Sequence, residues 1–157
     1  MRESLLRLHL GCGRKHLDGF INVDIKPNPG VVDRVYDLNQ TPWPWVTNSV
    51  EEIICKHVIE HLDIGLCGFL DEAWRVLHPA GTVYIQVPDA ANPDLAWADP
   101  THKRPYRVHS FANYFTLPGI RKHGVTRLPW CWYVVKSEGG VITAHGNPAK
   151  GFEKEVQ

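Results

Sequence analysis

Leu6-Arg7-Leu8-His9-Leu10-Gly11-Cys12-Gly13, followed by Ile21-Asn22-Val23-Asp24, decides the fold. The first run alternates apolar and polar residues and then breaks into glycines; the second is a short apolar strand that ends in an acid. Glycines let the backbone approach a ligand with no side chain in the way, and a carboxylate on the next strand can accept hydrogen bonds from a ribose diol. The pair predicts the turn of a nucleotide-type cofactor pocket.

Outward from this stretch, Leu5 to Leu10 reads as the first strand and Phe20 to Ile25 as the second, joined by Arg14 to Gly19, which is too short for an ordinary crossover helix. Val31 to Leu38 resembles a third strand ending at Asp37. The prolines of Thr41-Pro42-Trp43-Pro44-Trp45 make that segment a loop, and Glu52 to Lys56 is the fourth strand. Phe69 to Leu77 has helical spacing with a stop at Pro79 and Gly81, and Thr82 to Val87 is a fifth strand cut off at Pro88. Asp89 to Pro105 is a long loop, the kind that carries function. Ser110 to Phe115 predicts a short helix capped by Ser110, and Trp132 to Lys136 with Val141 to Ala144 a hairpin across Ser137-Glu138-Gly139-Gly140. Crossover-linked strands closed by a hairpin imply a mostly parallel α/β sheet, with ligands at the strands' carboxyl ends.

With 157 residues, 43% of them hydrophobic and 22% charged, one core is expected, and hence a single domain over 1–157. No apolar run has the length of a membrane span, and Arg2, Glu3 and Arg7 argue against a signal peptide. Cys12, Cys55, Cys67 and Cys131 form no CxxC pair, so reduced thiols and a cytoplasmic setting are expected. Formal net charge is zero, yet residues 1–99 hold 8 basic and 14 acidic residues, whereas 100–136 hold Lys103, Arg104, Arg107, Arg121, Lys122, Arg127 and Lys136 and no acid. This basic stretch suits an anionic partner, such as a glycan, a nucleotide sugar, a nucleic acid or a small acid. It equally suits a solvated face folded against the acidic half.

A dinucleotide fingerprint wants a third glycine where His16 stands, and a phosphate-binding loop wants a Gly-Lys-Ser or Gly-Lys-Thr triplet that the chain lacks. NAD, FAD and nucleoside triphosphates are therefore disfavoured. Leu8-His9-Leu10-Gly11-Cys12-Gly13, Asp24, Asp37-Leu38, Lys56-His57-Val58-Ile59-Glu60-His61-Leu62 and Arg75-Val76-Leu77-His78-Pro79-Ala80-Gly81 stand in the order of the motifs of class I S-adenosylmethionine-dependent methyltransferases. The chain resembles that family, particularly its small type 11 group, over most of its length. The resemblance implies a Rossmann-like, doubly wound, mostly parallel seven-stranded sheet with a C-terminal antiparallel hairpin. It implies S-adenosylmethionine as cofactor, held by Gly11, Cys12, Gly13, Lys15, Asp24, Asp37, Leu38 and His57. Where the family often has an acid before the first glycine and a third glycine after the second, this chain has His9 and Lys15.

Methyl transfer is an in-line displacement at an already activated sulfonium, so the protein must align donor and acceptor, and supplies a base only where the acceptor carries a proton. The resemblance places the loop after the fifth strand over the methyl group. There His102 is the candidate base, Asp99 its orienter, and Arg104 and Arg107 candidate anion clamps. His57-Val58-Ile59-Glu60-His61 also fits the HxxEH pattern of inverted zinc peptidases, although that pattern belongs inside a long helix, whereas His57 directly follows a strand. No metal ligand set is assigned. A non-catalytic anion-binding or nucleic-acid-binding module with a vestigial pocket is the reading from another class.

Overall fold

A computed structural model describes residues 4–123 and 128–151. Seven strands form one sheet: β1 (Leu6–Leu10), β2 (Ile21–Asp24), β3 (Arg34–Val35), β4 (Val50–Lys56), β5 (Leu77–Pro88), β6 (Trp130–Glu138) and β7 (Val141–Pro148). Their order is β3-β2-β1-β4-β5-β7-β6. Neighbours from β3 to β5 pair in parallel, and β7 runs antiparallel to both β5 and β6. The chain therefore winds outward twice from the middle, once through β2 and β3 and once through β5. The switch between β1 and β4 is where such sheets bind ligands.

Helices α1 (Gly65–Val76), α2 (Pro93–Ala96), α3 (Val108–Ala112) and α4 (Leu117–His123) complete the described elements, with a 3₁₀ turn at Ile59–His61. Register sets Leu8, Ile53 and Val83 in one row and Leu10, Cys55, Ile85 and Ala144 in the next, all facing the core. Against them α1 buries Phe69, Leu70, Ala73 and Val76, and Phe111 of α3 meets Trp132 edge-on. Trp43 and Trp45, from the loop after β3, finish this layer, with Trp43 edge-on to Phe69 at 5.3 Å.

The opposite face carries polar and aromatic side chains, because the links β1-β2 and β2-β3, which a right-handed winding places there, contain no helix. Arg7 pairs with Glu52 at 2.6 Å, Lys56 lies over the Tyr84 ring, and His145 packs between Tyr84 and Tyr133. A parallel sheet is usually dry on both faces. Here the β1-β2 link covers only His9 and Asn22, and Arg7, Glu52 and Tyr84 stay partly exposed.

Sequence expectations hold for the order of the strands and for the hairpin and shift at the ends, while α2 lies inside the segment expected as loop and α4 is an element the sequence reading lacked. β3 is two residues, not Val31 to Leu38, because Val31 and Val32 donate to the Asn28 carbonyl in a turn and Asp33 turns its carboxylate onto Asn22. α1 begins four residues before Phe69, and the strand predicted from Thr82 already pairs at Leu77, with a register shift against β4. Ser110 is not the cap of α3 but its third residue, where its hydroxyl accepts the Arg107 N–H. The hairpin turns at Gly139-Gly140, both with positive φ. All four cysteines are free, and no described helix is long and apolar enough to cross a membrane.

Glu72 ties the tryptophan loop to α1. Its carboxylate accepts from the Trp43 N–H and from Arg75, whose other N–H groups reach the Trp43 and Trp45 carbonyls. Burial pushes the Glu72 carboxyl up, but the Arg75 and Trp43 hydrogen bonds outweigh it and hold it below the ordinary range. A carboxyl lowered by folding stabilises the fold at pH above its unfolded value near ~4.3, and that stability is lost as pH falls through the folded value. Glu72→Gln is expected to cost about 1–3 kcal/mol at neutral pH and to flatten the acid limb of the stability curve. Urea melts across pH 3 to 7 check both.

Candidate functional site

Two clefts share a wall at the carboxyl ends of β1, β2 and β4. The first, about 360 Å³, is lined by Gly11, Gly13, Asp24, Tyr36, Asp37, Leu38, Asn39, His57, Val58 and His61, among others. Its floor is the β1 turn: the Gly11 and Cys12 N–H groups both donate to the Val23 carbonyl, at 2.8 and 3.0 Å. Gly11 has φ +68°, and a Cβ there would lie 2.0 Å from a methyl of Val58. Glycine is required at this point on both counts. The Gly13 N–H donates to Asp24 Oδ2 at 2.8 Å and the Lys26 N–H to Oδ1 at 3.1 Å, so the acid is held at the cleft before any ligand arrives.

The far wall comes from the loops after β3 and β4. Leu38 is buried, with its carbonyl taken by the Trp43 indole, and Asn39 Oδ1 accepts the Asp63 N–H at 2.8 Å, which joins the two loops. His57 adopts φ +55° directly after β4, and its N–H donates to the Gln86 carbonyl. This backbone reversal turns the chain across the end of the sheet.

The second cleft, about 330 Å³, is lined by His57, Glu60, His61, Pro88, Asp94, Leu95, Ala98, Asp99, His102 and Val141. His57 and His61 thus face both clefts. The loop bearing Asp99 and His102 is pinned to the post-β4 segment by the Lys103 N–H on the Glu60 carbonyl and by Lys103 Nζ on Asp63. His102 Nδ1 lies 2.7 Å from the Ala96 carbonyl, which only accepts, so Nδ1 donates and Nε2 is the nitrogen turned toward the cleft. That Nε2 is 3.8 Å from Asp99 Oδ2 and 4.0 Å from Glu60 Oε1. Thr101 bonds through its hydroxyl and its N–H to Asp99 and holds that carboxyl below its ordinary range.

Of the residues expected to hold a cofactor, the first cleft gathers Gly11, Gly13, Asp24, Asp37, Leu38 and His57 and leaves out Cys12 and Lys15. Cys12 is buried, and burial raises its thiol; Lys15 continues the turn toward solvent. His102 and Asp99 both line the second cleft, but Asp99 faces His102 Nε2, and the group that holds the ring through Nδ1 is the Ala96 carbonyl. Arg104 and Arg107 do not reach it: Arg104 donates to the Leu62 and Asp63 carbonyls, and Arg107 pairs with buried Asp89 at 3.0 Å. The basic stretch is folded against acids of the other half, through Lys103–Asp63 and Arg107–Asp89, while Lys136 pairs with Glu138; Arg127 lies outside the described residues. The HxxEH residues lie on a left-handed residue and a 3₁₀ turn rather than a helix. Sequence reasoning missed Tyr36, Asn39 and Val58. Tyr36 adjoins an expected residue, whereas Val58 is set by its contact with Gly11, which no local pattern announces.

No family model matches the chain, and no curated protein does. Solved structures do. A putative methyltransferase from Haloferax volcanii, in complex with the Trm112 methyltransferase activator, superposes with a TM-score of 0.65 at 15% identity, over 94% of this chain and 83% of that one. A SAM-dependent methyltransferase from Archaeoglobus fulgidus gives 0.64 at 14%, over 92% and 86%. The 1,6-didemethyltoxoflavin-N1-methyltransferase of Burkholderia thailandensis, with S-adenosylhomocysteine bound, gives 0.62 at 14%, over 94% and 72%. At such identities the shared property is the architecture, and this chain has the fold of the class I S-adenosylmethionine-dependent methyltransferases.

Proposed function

We propose that this protein transfers a methyl group from S-adenosylmethionine to an acceptor seated in the second cleft. The observation that carries this reading is the convergence of the Gly11–Gly13 backbone, the pre-oriented Asp24 carboxylate and the His57–Leu62 segment around one cleft of ligand size. Asp24 takes the ribose diol, Tyr36, Asp37 and Leu38 flank the adenine, and the turn with His57 and His61 lies along the methionine end. The methyl then points toward the shared wall. Placement in the type 11 group rests on the His57–Leu62 and Arg75–Gly81 motifs.

The second cleft carries Glu60, Asp94 and Asp99 with three histidines and no arginine or lysine. This lining favours a neutral or amine-bearing acceptor over the anionic one that the basic stretch suggested. Such an acceptor, a hydroxyl or an amine, must lose a proton for the transfer to complete, and the cluster of His102, Asp99 and Glu60 is where it leaves.

Calorimetry with S-adenosylhomocysteine tests the reading. Wild-type protein is expected to bind it, and Asp24→Ala to weaken binding about 10- to 100-fold, the worth of charge-assisted hydrogen bonds to a diol. No binding at millimolar ligand would sink the proposal.

A further inference from the structure

Glu60 is 2% exposed, and neither of its carboxylate oxygens accepts a hydrogen bond from the described residues. His57 Nδ1 at 3.6 Å and His102 Nε2 at 4.0 Å face it at ion-pair distance. A buried carboxylate without a donor is expensive, and a native structure that keeps one calls for a partner.

The bonds around it fix what that partner is. Thr101 has one hydroxyl proton and gives it to Asp99 Oδ1, 2.6 Å away, so at 2.9 Å His61 Nδ1 must be the donor to Thr101 Oγ1. His102 Nδ1 likewise donates to the Ala96 carbonyl. Both rings therefore donate from Nδ1, and Nε2 is the nitrogen each has left for another partner. Imidazoles locked in this way by a carbonyl or a carboxylate-backed group are how proteins prepare metal ligands. The rings stand edge to face at 4.7 Å, and Glu60, His61 and His102 each offer a ligand atom within 4.8 Å of the others. Ligands on a tetrahedral ion sit about 3.3 Å apart for bonds of about 2.0 Å, so a small inward rotation of each side chain closes the site.

We infer that Glu60, His61 and His102 form a binding site for a divalent transition-metal ion of the zinc type, with a fourth position left open toward the second cleft. Two imidazole nitrogens and a carboxylate favour such an ion over magnesium or calcium, which take oxygen shells. The set differs from the HxxEH trio of the sequence, since His102 from the loop after β5 replaces His57. Ion binding stands apart from the proposed methyl transfer; only its consequence rests on that reading. At the shared wall the ion lowers the pKa of an acceptor hydroxyl, whose proton goes to solvent. The oxygen then bonds the methyl carbon as the carbon–sulfur bond breaks, leaving the sulfonium as a thioether. His102 then acts as a ligand in place of a free base.

The test uses chelator-treated full-length protein, with Zn²⁺ followed by calorimetry and Co²⁺ by its visible absorption. One equivalent of each is expected to bind, with Co²⁺ giving the intense bands of a low-coordinate nitrogen and oxygen site, and Mg²⁺ failing to compete. Glu60→Gln and His102→Ala are each expected to weaken Zn²⁺ binding by about 100-fold or more, since outer-shell partners alone carry about 10- to 100-fold. His61→Ala, at a half-buried position, gives a milder variant should either of those fail to fold. Zn²⁺ binding that is absent, or indifferent to all the variants that fold, overturns the site. Zn²⁺ binding without S-adenosylhomocysteine binding leaves the ion site standing and overturns the methyl-transfer proposal; the converse result does the opposite.

Discussion

Gly11→Ala is expected to weaken S-adenosylhomocysteine binding by about 100-fold or more and to destabilise the fold by about 2–5 kcal/mol. Two costs add. An alanine at φ +68° takes on left-handed strain of about 1–2 kcal/mol. Its Cβ would also stand 2.0 Å from a Val58 methyl, a core overlap worth about 1–3 kcal/mol to relieve. Relief has to move either the turn that carries the floor of the cleft or the segment that forms its wall, and displacements near 1 Å in a binding site cost about 100-fold. Gly13→Ala is the control. Its φ is +59° but its Cβ would meet nothing within 4 Å, so its stability should fall by the strain alone. Thermal melts and calorimetry on the two variants separate the contributions; equal losses in both would show that the Val58 contact is unimportant.

His102→Ala is expected to lower methyl transfer about 10²- to 10⁴-fold on any acceptor the wild type methylates, the range for losing a side chain on which removal of the acceptor's proton depends. S-adenosylhomocysteine affinity should stay within about threefold, because His102 lines the second cleft and not the first. Transfer of labelled methyl from S-adenosylmethionine, read beside calorimetry on the same samples, gives the two numbers. A matching fall in cofactor affinity would mean that the loop from Asp99 to His102 shapes the first cleft instead.

Much of the first cleft was legible because its parts are local. Gly11 and Gly13 declare a turn by composition, Asp24 ends a strand, and Asp37-Leu38 follows one, so each residue's place is fixed by the strand before it. Cys12 falls outside the cleft lining because alternation at the turn does not say which way a side chain points, and here the residue is buried beside the Gly11 and Cys12 N–H bonds to Val23. The second cleft was legible only in its members, not in its partnerships. That Arg107 is held by Asp89, or that His102 rather than His57 completes the set around Glu60 and His61, depends on contacts between segments well apart in the sequence. Charge counts along the chain left two readings open, and the pairs Lys103–Asp63 and Arg107–Asp89 follow the one in which the basic stretch folds against the acidic half.

The missing helix after Gly13 bears on ligand choice as well as on sheet coverage. In dinucleotide-binding folds the glycine turn opens a helix whose N-terminal N–H groups and positive dipole end receive the pyrophosphate. Here residues 14–19 form no helix, and the Gly13 N–H that would point at such a group is already given to Asp24. A doubly charged diphosphate would meet a carboxylate where it needs a dipole. Discrimination against phosphorylated nucleotides is thus written into the length of one connection, and restoring a third glycine at His16 would not undo it.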